Sequence, residues 1–168
     1  MAAHFRIYRI LGSTPPDLEP ERLVFESTLA SFAERVTFPQ QVLFAGASFR
    51  SMSDASLYRA SAEANVRLCD FFLHIFSEAW PGSAFKGFID LAQVCMADPS
   101  QPMRQIAILF KNFPEADGKV REFRDTLAAG GKCDLRDFQG SAELDSAELG
   151  RVLQEVFASW WQSVQANP

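Results

Sequence analysis

The stretch from Asp70 to Cys95, DFFLHIFSEAWPGSAFKGFIDLAQVC, limits the choice of fold more than any other part of the chain. Phe71, Phe72, Leu73, Ile75 and Phe76 form an apolar run without alternation, short for a helix and suited to a strand covered on both faces. Such a strand belongs in the middle of a parallel sheet, where helices on either side remove both faces from water. Pro81, Gly82 and Ser83 then punctuate the chain before Phe85, Phe88, Ile89, Ala92 and Met96 recur at helical spacing. A second continuous run, Gln105 to Phe110, predicts another central strand.

The remaining elements follow from punctuation and period. Phe5 to Leu11 reads as the first strand, ending at Gly12-Ser13-Thr14-Pro15-Pro16. Pro20 and Glu21 suit the first turn of a helix whose inner side carries Leu18, Phe25, Leu29, Phe32 and Val36, with Glu21, Glu26 and Glu34 mostly elsewhere. Gln41 to Ala45 is a short second strand that Gly46 ends, and Asp54 is a good N-cap for a helix with a thin stripe of Leu57, Ala60, Ala64 and Leu68. After the fourth strand, Val120, Phe123 and Leu127 mark a charged helix closed by Gly130-Gly131. Cys133 to Phe138 reads as an edge strand, and Leu149 to Val164 as a helix with a wide apolar face, Asp145 and Glu148 near its start.

Strands alternating with helices predict an α/β chain in three layers: a five-stranded, mostly parallel, flavodoxin-like sheet of order 2-1-3-4-5, with helices on both faces. No repeat or linker divides residues 1–168, so one domain is expected. A net charge of -5 disfavours nucleic acid and acidic membranes as partners. The three cysteines form no CxxC and no metal-ligand pairing with His4 or His74, which predicts no metal site and fits a reducing cytoplasm. The opening MAAHFRIYRIL lacks the apolar length and cleavage site of a signal peptide, and no membrane span is expected.

In this strand order a ligand sits beyond the carboxyl ends of the strands, where the winding reverses between strands one and three. That rule gathers Gly12, Ser13, Thr14 and Asp17 with Ser77, Glu78 and Trp80, and adds Ser48 and Arg50 from the loop after strand two. Hydroxyls, a guanidinium and backbone donors suit a phosphate or ribose, and Trp80 suits stacking on a base or nicotinamide. The alternative is a set of ordinary solvated turns, since neither GxGxxG nor GxxxxGK[ST] occurs. His74, inside FFLHIF, reads as a core histidine satisfied by a neighbour, and Trp160-Trp161 as either an interface anchor or part of the core.

The pattern Ser13-Thr14, Asp17-Leu18, Glu21-Arg22, a helix, then Arg67-x-Cys69-Asp70-Phe71-Phe72-Leu73-x-Ile75-Phe76 resembles a bacterial TIR-like domain of unknown function, found joined to signalling ATPases and repeat modules. The resemblance runs from about Ile7 to Phe110, within the wider group of Toll/interleukin-1 receptor domains and nucleoside deoxyribosyltransferase-like proteins. It implies a cytoplasmic signalling or defence module that self-associates or binds a protein partner, with NAD or another nucleotide as an implied ligand. It also implies an alternative, cleavage of an N-glycosidic bond in NAD or a nucleoside by a carboxylate early in the helix after strand three. Asp90 stands nearest that place, one residue past Ile89, and Glu78 on the preceding loop is the other candidate. The helical wheel turns Asp90 outward beside Lys86 and Gln93, which predicts a solvated carboxylate. A flavin protein of flavodoxin type is less favoured by the ordinary Gly12-Ser13-Thr14 loop.

Overall fold

The computed structural model describes residues 4–48, 55–140 and 146–168. Its elements alternate: β1 (Arg6–Ser13), α1 (Glu19–Phe32), β2 (Val42–Ser48), α2 (Ala55–Leu68), β3 (Phe71–Phe76), α3 (Ser83–Ala97), β4 (Gln105–Lys111), α4 (Gly118–Gly130), β5 (Asp134–Phe138) and α5 (Ser146–Ala166). The five strands form one sheet of order β2-β1-β3-β4-β5, and every neighbouring pair is parallel. This is the flavodoxin-like arrangement expected from the alternation of strands and helices, with the two continuous runs as neighbouring inner strands.

Successive strand residues face opposite sides of a sheet, so each continuous run feeds two cores. Phe71, Leu73 and Ile75 join Ala107 and Leu109 beneath α1 and α5, where Trp160 stacks on Phe71 with ring centroids 4.8 Å apart. Phe72 and Phe76 join Ile106, Ile108 and Phe110 beneath α2, α3 and α4. All six residues of β3 are buried. Each large apolar side chain so buried contributes about 2 kcal/mol, which makes these strands the anchor of the fold. Trp160 lies wholly in the first core, whereas Trp161 is half-buried, edge-on to Phe44.

Three local expectations change. Gly12 and Gly46 end no strand: β1 runs on to Ser13 and β2 to Ser48. Their missing side chains serve packing instead, because a Cβ at Gly12 would stand 2.5 Å from Phe25 Cε1, and one at Gly46 would stand 2.6 Å from Leu29 Cδ2. Helix α1 therefore lies directly on the backbone of both strands. In α2 the buried stripe is Ala62 and Val66, with Ala60, Ala64 and Leu68 exposed. Alanines on two sides of a helix give a weak periodic signal, and Val66 decides the face. Glu21, expected away from the core side, is buried with Arg22. Asp54, Asp145 and the Leu57 side chain lie outside the described residues.

Candidate functional site

The carboxyl ends of the strands form a rim, and the sheet order places the loops after β1, β3 and β4 side by side along it. Gly12, Ser13, Thr14, Asp17, Ser48, Ser77, Glu78 and Trp80 all fall there, while Arg50 lies outside the described residues. Of these, Asp17 is exposed to solvent, whereas Gly12, Ser13, Thr14 and Ser77 are buried.

The polar groups of the rim are bound mainly to one another. Ser13 Oγ lies 3.0 Å from His74 Nδ1, and both residues are fully buried. The hydroxyl thus addresses the core, and His74 is a core histidine with one partner; Nε2 has none among the described residues. Burial lowers the pKa of His74 to about 3, so the ring is neutral at pH 7. Ser77 Oγ donates to the carbonyl of Ala79 at 3.3 Å. Trp80 stacks on Phe76 at 5.9 Å, sets its edge against Phe123, and donates its backbone N–H to Asp117 Oδ2 at 2.7 Å. One indole face is consequently committed to the protein.

Lys111, the last residue of β4, and Asn112 just after it link strand ends laterally. Asn112, in left-handed backbone at φ 48°, donates through Nδ2 to Glu78 Oε1 at 2.5 Å and to the Gly140 carbonyl at 2.9 Å, and accepts from the Gly140 N–H. Asparagine tolerates that conformation better than most residues, which suits it to the position. Lys111 Nζ reaches Glu21 Oε1 at 2.5 Å, joining β4 to the first turn of α1 across the intervening strand ends. Arg22, beneath the same turn, donates to Glu19, to Glu26 Oε1 at 2.5 Å and to Ser48 Oγ at 3.5 Å. Its paired carboxylates hold its pKa above the usual arginine range.

Of the two candidate carboxylates, Glu78 is half-buried on the rim, and its backbone carbonyl accepts from Asp117 N–H at 2.8 Å. Asp90 is exposed on the outer side of α3, ion-paired to Lys86 at 2.6 Å. It turns away from the sheet, as Phe85, Phe88, Ile89 and Ala92 occupy the inner face. Among the described residues no cluster of His, Cys, Asp and Glu is placed to hold a metal ion. Burial raises the pKa of the Cys69 thiol to about 12 and that of Cys133 to about 11, which leaves both protonated and unreactive at neutral pH.

Another feature of the surface is the outer side of β2, which ends the sheet and pairs only with β1 among the described residues. A groove of about 600 Å³ runs between α1 and this end strand. Phe38 is exposed at one end of it, and Gly46 and Ala47 are exposed along it. On the opposite face of the same strand a second groove, about 390 Å³, lies between Ala45, Ala47 and Leu68.

Neither a protein-family model nor a curated protein matches the sequence. Among solved structures, the metal-soaked Flv1 flavodiiron core from Synechocystis sp. PCC6803 is similar at a TM-score of 0.46 and 8% identity. The match covers 94% of this chain and 37% of that one, so the chain spans well under half the length of its structural neighbour. Among the described residues no helix is long and apolar enough to cross a membrane.

Proposed function

We propose that this chain is a TIR-like interaction module of a signalling or defence system, working by association with a protein partner or with itself. The observation that carries this reading is the contrast between a rim whose polar groups are bound to one another and an end strand, β2, that is apolar and open. Ser13 engages His74, Glu21 engages Lys111, and Arg22 engages Glu19 and Glu26, so few rim groups are left to turn toward a small molecule. The resemblance of the first two-thirds of the chain to TIR-like domains supports the same reading. Nucleotide binding at the rim is then a secondary property, served by Asp17 and backbone donors.

The second reading, cleavage of an N-glycosidic bond in NAD or a nucleoside, is favoured by Glu78. That carboxylate sits on the rim between β3 and α3, held by Asn112 in a fixed place, as a group that stabilises an oxocarbenium-like centre must be. The two readings separate in one pair of measurements. Light scattering over a concentration series is expected to show reversible self-association, or a defined complex once a partner is supplied. Incubation with NAD and with deoxynucleosides is expected to release no free base beyond that seen with the Glu78→Gln, Asp90→Asn double variant. Base release that this variant abolishes would replace the first reading with the second.

A further inference from the structure

We infer that the edge of β2, unpaired among the described residues, and the groove beside it accept an extended segment of a partner protein carrying basic residues at positions i and i+4 and an apolar residue at i+2, added to the sheet as a sixth strand. This deepens the interaction reading above and rests on it. End strands offer unpaired backbone groups, and proteins ordinarily guard them with charge, proline or bulges. Residues Val42–Ser48, VLFAGAS, contain none of these guards. The strand is uncharged, and its Gly46 and Ala47 leave room for a neighbouring backbone to approach.

The chemistry of the occupant follows from the groove's lining. Its floor is Leu29, Ala33, Leu43 and Phe44, and among the described residues its charged lining is Glu26 and Glu34. Glu26 sits at the Ser48 end, where its Oε1 accepts from both Ser48 Oγ and Arg22 Nη1 at 2.5 Å, so that among the described residues its Oε2 is the oxygen left for a partner. Glu34 is exposed and takes part in no ion pair among the described residues. From Glu26 to Glu34 the chain advances about 12 Å along the helix axis, passing from α1 into the π-helical turn Ala33–Thr37. Four residues of extended chain span about 13 Å and return to the same face, so i and i+4 meet both carboxylates while i+2 rests on the apolar floor. Charge also argues against a second copy as occupant. Two β2 strands paired antiparallel about a dyad would bring the Glu34 end of one groove against the Glu26 end of the other.

The test uses the full chain, isotope-labelled, titrated with the capped peptide Thr-Lys-Thr-Val-Thr-Lys-Thr and with its Glu-for-Lys counterpart. The expected result is saturable shifts of the amides of residues 42–48 with the lysine peptide alone, at millimolar affinity and weakened by salt. Glu34→Lys is expected to weaken the lysine peptide about threefold and to admit the glutamate peptide, a reversal that loss of folding cannot mimic. Equal binding of both peptides, shifts confined to other elements, or a β2-to-β2 dimer that excludes the peptide would each overturn the inference. Light scattering on the same samples keeps the two claims apart. Association that persists while β2 ignores the peptide removes only the docking site, whereas absence of any association removes the interaction reading.

Discussion

The two ends of the sheet are built on opposite principles. β5, DLRDF, is short and charged: Arg136 pairs with Asp134 at 3.0 Å and with Glu155 of α5 at 2.8 Å, and Arg124 of α4 clasps Asp137 at 2.9 Å. Helices on both faces reach over that margin and fasten it with ions. β2 has no ion within it; beside it Arg22 and Glu26 are engaged with each other and with Ser48, and Glu34 stands exposed. The lesson is that charge guards one margin while the other is left able to pair, so the sheet has a direction in which it can grow.

The centre of the sheet sets the scale for testing this contrast, and it should give the largest effect. The unfolded His74 ring takes up a proton near pH 6.5, whereas the folded ring resists until about pH 3. Stability is therefore complete above pH 6.5 and is lost as pH falls toward 3. Between pH 7 and 4 the penalty from this ring amounts to about 3 kcal/mol. Urea unfolding at both pH values should show that slope in the wild type and much less of it in His74→Leu; coincident slopes would move acid sensitivity from the centre to the charged β5 margin.

Next in size is a pair of glycine substitutions, one toward each margin. Gly12→Ala presses a methyl into the buried Phe25 ring and is expected to cost about 2 kcal/mol in urea unfolding. Gly140→Ala meets only the Lys111 Cε at 2.9 Å, the flexible part of a long side chain, and should cost under about 1 kcal/mol. If the order were reversed, the tight seat of α1 on the β2 side would lose its claim. Smaller still, Arg136→Ala should cost about 1 kcal/mol and add salt-independent self-association, seen by light scattering, as β5 loses its guard. Ala47→Lys should change stability by less than about 0.5 kcal/mol yet abolish pairing at β2, which would give the two margins the same guarded character.

Much of this architecture was legible before any coordinates. FFLHIF and QIAILF have to lie inside because no register exposes a polar face, and the alternation of strands with helices around them pointed to the parallel order 2-1-3-4-5 and so to the position of the rim. Asp90 was also legible, since Phe85, Ile89 and Ala92 leave it one direction to point. What escaped reading depends on distant partners. Gly12 and Gly46 look like terminators in one dimension, and only the arrival of Phe25 and Leu29 shows them to be seats for a helix. Glu21 and Arg22 look like solvated first-turn charges until Lys111, ninety positions along the chain, meets the former. The margin of β2 was legible only in part: the order 2-1-3-4-5 puts strand two at an end of the sheet, but its uncharged run is what a central strand would also show.

Helix α1 rests on two absences. Phe25 fills the place where residue 12 has no side chain, and Leu29 does the same at residue 46, one turn further along and one strand over. Bulk on the helix and emptiness on the sheet are thus a matched set, and neither can drift alone. A descendant chain that gained a methyl on either strand would survive most readily by trimming the opposing helix residue. Paired substitutions at 12 with 25, and at 46 with 29, would record that shared history.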